Sequence, residues 1–268
     1  MNKKILILII AIIAIIAIAG IYFSGIFGDG GSDEKGTIIV LMGNGFSNVG
    51  EELITAFNKK YPNIEVNPVY GGSGQLFATL KSQHSGDVFV PADYSNMEDA
   101  MNEGFMVNDT VKNITKNVPT IAVEKGNPKN IHSLEDLAKP GVRVGIGEDG
   151  GPAIGTTTAK ILNKTNLTDK VTANVVVTGS TVNQLLTYLV SGQVDATIIW
   201  RDMVSWEENA GKIEAVNISE DQNIISTVPM GLTNFAGDNK DSAEKFLEFI
   251  NSDEGKKIWE KWGYETIS

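Results

Sequence analysis

Four short segments of the 268-residue chain gather Gly, Ser, Thr and Asn immediately ahead of helical spacing: Gly43-Asn44-Gly45-Phe46-Ser47-Asn48, Gly71-Gly72-Ser73-Gly74, Gly147-Glu148-Asp149-Gly150-Gly151-Pro152-Ala153 and Thr178-Gly179-Ser180-Thr181. A helix start leaves its first backbone N–H groups without intrahelical acceptors and carries the positive end of the helix dipole. Such a junction can hold an anion with no charged side chain. Gly lets the backbone approach a ligand closely, and Ser or Thr hydroxyls add donors. Lys and Arg are missing from these segments. One junction of this kind is ordinary in any α/β protein, and the bland alternative is that each loop merely caps its own helix. Four together suggest donors converging on a small oxyanion. Five or six charge-assisted bonds at about 1.5–3 kcal/mol each reach the roughly −8 kcal/mol of micromolar affinity after association costs.

Other chemistry is less well supported. Ser73 has Gly71 two residues before it, but Gln75 stands where a nucleophile elbow needs a second Gly. His84 and His132 are the two histidines, each in a polar stretch near a helix boundary, which points to surface positions rather than catalysis or metal binding. Glu148 and Asp149 could ligate a cation or an octahedral oxyanion metal, although exposed loop acids are the plainer reading. Trp259 and Trp262 fit packing better than a carbohydrate platform, and Arg201 beside Asp202 fits a simple ion pair. The rival from another class is an anchored hydrolase or transferase using Ser73 with an acid from Glu148 or Asp149.

The four loops need a frame that aims them at one place. Strand-type runs at residues 37–42, 64–70, 142–146 and 175–177 are each followed by a loop and a helix. The helices are expected over 49–60 (Leu53, Ile54, Phe57), from about 75 onward (Leu76, Phe77, Leu80), through Ala159, Ile161 and Leu162, and over 182–190. With buried strands at 87–90 and 196–200, the alternation implies βα units on a largely parallel sheet, whose strand carboxyl ends gather ligands. Residues 119–123 read as a strand leaving the first half and 226–232 as one returning to it. Residues 242–262 form an amphipathic helix or helix pair, and Ser133 with Asp136 marks a short capped helix. The expected organisation is two lobes with a cleft between them: lobe 1 from residues 37–117 and 226–268, lobe 2 from 118–225.

Composition bounds the function. With 22 Lys and Arg against 33 Asp and Glu, the net charge of −11 argues against nucleic-acid binding. The absence of Cys removes disulfides, thiolate zinc sites, Cys nucleophiles and a lipid-attachable Cys. Lys3 and Lys4 precede nineteen residues, 5–23, without a charge. At ~1.5 Å rise per residue such a run can just cross a bilayer core of about 30 Å. Ala17-Ile18-Ala19 would also serve as a cleavage site. Residues 1–24 are therefore a signal anchor or signal peptide and 25–36 a flexible linker, either of which places the remainder outside the cytoplasm.

Residues 37–268 resemble the substrate-binding proteins of molybdate ABC importers. The resemblance rests on the 43–48 loop with its helix, Tyr70-Gly71-Gly72-Ser73-Gly74, Gly86-Asp87-Val88-Phe89-Val90-Pro91-Ala92-Asp93, Gly151-Pro152-Ala153-Ile154-Gly155 and the ending at 255–264. It implies an α/β, two-lobed type II periplasmic-binding fold closing on an oxyanion held by backbone N–H groups and a few hydroxyls, at matching positions Gly45, Ser73, Ala153 and Val182. Two positions depart from the pattern: Gly45 stands where a Ser is usual, and Trp200, followed by Arg201, where a Tyr is usual. An indole N–H and a guanidinium facing the cleft would replace the missing hydroxyls. The resemblance implies a monomeric receptor, not an enzyme, for molybdate or tungstate, with sulfate or another tetrahedral oxyanion behind them. It implies no cofactor, and a metal held as the oxyanion rather than by protein ligands. The implied partners are an ABC permease and its ATPase, with the membrane reached through residues 5–23.

Overall fold

Period-two alternation divides β1 (Gly36–Gly43) between two cores. Ile38, Val40 and Met42 pack with Val49, Leu53 and Phe57 of α1 (Ser47–Lys60), while Leu41 packs on the other face with Leu76 and Leu80 of α2 (Ser73–Gln83). Burial on both faces makes β1 a central strand, flanked in parallel by β2 (Ile64–Gly71) and β3 (Val88–Val90). This computed structural model describes residues 36–148 and 150–267, so the apolar run at 5–23 and its linker lie outside the described residues. Among the described residues no helix is long and apolar enough to cross a membrane.

After β3, Asp93 caps α3 (Tyr94–Asn102) by accepting from the Asn96 N–H at 3.2 Å. The chain then runs through β4 (Lys112–Asn117) and, with only Val118 between, into β5 (Pro119–Glu124) of a second sheet. There β6 (Val144–Gly147), α4 (Ala153–Lys164), α5 (Thr168–Thr172), β7 (Val175–Gly179), α6 (Val182–Val190), β8 (Ala196–Trp200) and β9 (Ile213–Asn217) follow. The chain returns through β10 (Ser226–Leu232) and ends in α7 (Lys240–Ile250), α8 (Asp253–Lys261) and β11 (Glu265–Thr266). The strand orders are β11-β4-β10-β3-β1-β2 and β7-β6-β8-β5-β9.

The expected parallel βα units are present as β2-β1-β3 and β7-β6-β8. The sheets as wholes are mixed, because β4, β5 and β10, which carry the chain between them, run antiparallel to their neighbours. Sequence periodicity gives no sign of α3, β4, β9 and β11. Each buries few residues in a polar run; α3 buries only Met97 and Ala100. The stretch at 242–262 is a helix pair, broken at Asn251-Ser252, where Ser252 caps α8 through the Gly255 N–H at 3.3 Å. The short helix near Ser133 is a single 3-10 turn, Glu135–Ala138, and Asp136 accepts from the His132 N–H at 2.7 Å.

Candidate oxyanion site

The carboxyl ends of β1, β2, β6 and β7 lead into the four glycine-bearing loops, and these loops meet where the two sheets face each other. Ser73, Ala153 and Val182 are the first residues of α2, α4 and α6. Their N–H groups therefore have no intrahelical acceptor. The preceding Gly72 and Pro152 supply no side-chain cap, whereas Thr181 accepts from the Gln184 N–H at 3.2 Å. Helix α2 begins at Ser73, three residues ahead of its first apolar residue, Leu76, and this is what puts Ser73 at the first position.

Of the residues singled out above, the structure brings Gly45, Ser73, Ala153, Val182 and Trp200 around a single cavity of about 10 Å³, room for about one water. Gly45 and Ser73 come from the first sheet's loops; Ala153, Val182 and Trp200 come from the second's. Its lining carries no charged side chain. Ser73 is 1% exposed, and its Oγ accepts from the Ala92 N–H at 3.0 Å, which leaves the hydroxyl hydrogen free to donate into the cavity. Behind it, Asn117 Nδ2 donates to the Ala92 carbonyl. No local pattern announces this support, because Ala92 and Asn117 meet only through the fold.

Direct contacts hold the halves together at this point. The Gly74 N–H donates to the Gly151 carbonyl at 2.9 Å, Asn48 Nδ2 to Glu208 Oε1 at 2.8 Å, and Asn183 Nδ2 to the Asn44 carbonyl at 3.4 Å. A Cβ on Gly74 would stand 2.0 Å from the Gly150 carbonyl oxygen, so this glycine permits loop-to-loop approach. A Cβ on Gly45 would stand 3.2 Å from Val182 Cγ1 and 3.5 Å from Trp200 Cδ1. The two departures noted at Gly45 and Trp200 are thus spatially one, since the indole fills the space beside Gly45.

Arg201 is a correction. It follows Trp200 into a 3-10 turn, Arg201–Ser205, which turns it outward as Trp200 turns inward. Its guanidinium donates to Asn217 Oδ1 at 2.7 Å, and it lines a separate cavity of about 330 Å³ beside Val118. It contributes no charge to the smaller cavity. The expected ion pair with Asp202 is also not formed. Asp202 is buried, and burial pushes its carboxyl up to about 7, against the lowering effect of the neighbouring Tyr264 hydroxyl.

The remaining candidates take structural positions. His84 is exposed, in a left-handed conformation (φ 48°), with its ring 5.1 Å from that of Phe235. His132 is exposed. Glu148 lies against Gly151 outside the cavity, and Asp149 is outside the described residues. Trp259 is fully buried, and Trp262 donates its indole N–H to Glu52 Oε2 at 2.8 Å. The Ser73 hydroxyl is therefore partnered by a backbone amide rather than by a histidine or carboxylate, which does not favour the hydrolase reading.

Residues 38–265 match the family model described as bacterial extracellular solute-binding protein. A Haemophilus influenzae protein named only as a binding protein is 28% identical over 235 residues, covering 87% of this chain and 92% of that one. The molybdate-binding protein ModA of Mycobacterium tuberculosis is 26% identical over 220 residues, covering 82% of this chain and 79% of that one. Among solved structures, the sulfate-binding protein SubI of Mycobacterium tuberculosis H37Rv superposes with a TM-score of 0.77 at 17% identity over 87% of each chain, a likeness of fold. The family match spans nearly all the described residues and agrees with the two-sheet architecture, and the chain belongs to the bacterial extracellular solute-binding proteins.

Proposed function

We propose that this protein is an extracytoplasmic receptor that captures molybdate or tungstate between two lobes, residues 37–117 with 226–268 and residues 118–225, and delivers it to an ABC permease driven by its ATPase. One observation carries the reading: an uncharged cavity where helix starts from both sheets converge with the Ser73 hydroxyl. The donors are the N–H groups of Gly45, Ser73, Ala153 and Val182, the Ser73 hydroxyl and the Trp200 indole N–H; Arg201 takes no part. A net charge of −11 repels an anion at long range, but screening over about 8 Å leaves the choice to the short-range dipoles. The anion completes donors from both halves only when they are together, so it shifts the population towards closure. Residues 1–24, as an anchor or cleaved leader, deliver the receptor to the outer face. If retained, they raise its effective concentration at the transporter.

The sulfate reading is kept because the same neutral donors suit any tetrahedral dianion. Calorimetric titration of residues 37–268 with molybdate, tungstate, sulfate and phosphate separates the two. Micromolar or tighter binding of molybdate and tungstate alone is expected; preference for sulfate changes the anion, and preference for phosphate or a neutral solute removes the reading. Ser73→Ala should weaken binding by about 10- to 150-fold, the worth of one charge-assisted donor at about 1.5–3 kcal/mol. It should also lower the melting temperature of the unliganded protein, because the Ala92 N–H loses its acceptor.

A further inference from the structure

Behind the Gly45 loop lies a buried polar pair, Tyr264 after the last helix and Asp202 in the turn after β8. Tyr264 follows Gly263, whose φ of +87° turns the chain back after α8. The Tyr264 ring is edge-on to Phe46 at 5.8 Å and to Trp259 at 5.0 Å, and its hydroxyl donates to the Gly45 carbonyl at 3.1 Å. Beside that hydroxyl is the carboxyl of Asp202, which arrives from the second sheet two residues after Trp200 and backs onto Gly263. Asp202 is buried, and its Oδ2 has no hydrogen-bond partner among the described residues.

Donor counting fixes the direction of this chain. A tyrosine hydroxyl has one hydrogen, and here it is committed to the Gly45 carbonyl. While it donates there it can only accept from Asp202, which takes a protonated carboxyl; an ionised Asp202 would draw the hydrogen to itself, which is the lowering effect the hydroxyl has on that carboxyl. Glycine restricts its own backbone least of all residues, so the course of the loop at Gly45 depends on outside anchors. We propose that Asp202 and Tyr264 are positioning residues for the oxyanion site: the acid orients the tyrosine hydroxyl, and the hydroxyl holds the Gly45 carbonyl, which fixes the Gly45–Phe46 peptide and so the course of the loop that presents the Gly45 N–H. This rests on the oxyanion reading above.

The arrangement is sensitive to proton loss. An ionised Asp202 would compete for the tyrosine hydrogen and place a negative charge behind an anion site. Both effects weaken anion binding. Burial sets the titration near 7, so affinity is full below that range and falls as pH rises through it. The other charged groups lining the cavity beside Asp202 are Lys116, Arg201 and Glu265. Lys116 is paired with Glu265 and Arg201 is bonded to Asn217. Among the described residues none of them forms an ion pair with Asp202.

The test titrates the full-length chain in detergent with molybdate and with tungstate at about pH 6 and about pH 8.5, on either side of the Asp202 transition. The parent should lose about tenfold in affinity at the higher pH. Asp202→Asn, which keeps a donor towards the tyrosine, should hold the low-pH affinity at both. Tyr264→Phe, which keeps the ring contacts, should bind about tenfold more weakly at both, the scale of one hydrogen bond. A flat parent profile, or Tyr264→Phe binding as tightly as the parent, overturns the proposal. If the parent binds neither anion, the functional reading fails instead. The positioning role is then decided by amide hydrogen exchange across residues 44–46: faster exchange in Tyr264→Phe upholds it, and unchanged exchange overturns it.

Discussion

Gly74→Ala should cut oxyanion affinity by about 5- to 150-fold, the effect of the 1–3 kcal/mol that overpacking typically costs. The added Cβ would stand 2.0 Å from the Gly150 carbonyl oxygen, a backbone atom that cannot rotate away as a side chain could. The clash exists only when the two loops are together. Open, the variant should be at least as stable as the parent, because Gly74 is the second residue of α2 and Ala favours helix over Gly by about 0.5–1 kcal/mol. Paired measurements decide it: calorimetric titration should show the loss, and a thermal melt of the unliganded protein should show none. Undiminished affinity would mean that these loops stay apart in the liganded protein.

Trp259→Ala should destabilise the protein by about 3–5 kcal/mol in chemical denaturation, near the top of the range for single core truncations. Trp259 is fully buried, edge-on to Phe46 at 5.5 Å and to Tyr264 at 5.0 Å, and so packs beneath the loop that carries Gly45. The cavity left by truncation would open beneath Phe46, and anion affinity should fall along with stability. Trp259→Phe should stay within about 1.5 kcal/mol of the parent, because it keeps an aromatic edge in place. It also removes an indole N–H that has no partner among the described residues. A Phe variant as unstable as the Ala variant would show that the indole's full volume, rather than its aromatic contacts, is what the core requires.

Much of the frame is legible along the chain. The βα units announce themselves because β1, β6 and β7 are runs of apolar or β-branched residues, β2 alternates apolar with polar ones, all four stop at glycine-bearing turns, and the helices after them carry apolar stripes. Elements made mostly of polar residues are silent: β4 buries only Ile114, Thr115 and Asn117, and its strand form depends on pairing with β10. Arg201 shows the limit of sequence position for a side chain. Its neighbour Trp200 is driven inward as a large apolar group at the end of β8, and the turn that follows sends the guanidinium to Asn217 instead.

The sequence alone marked the loops at which α2, α4 and α6 begin, since an unpaired N–H at a helix start is a property of local backbone geometry; that α2 starts at Ser73 rather than near Gln75 was decided by the structure. Tertiary structure alone decided which of those donors share a cavity. It also decided that Gly74 serves loop contact, that the Trp200 indole occupies the space beside Gly45, and that Tyr264 reaches the Gly45 carbonyl 219 residues away. The difference is one of range. Backbone donors are set within a few residues, whereas facing, burial and support come from packing between segments that meet only when the two sheets do.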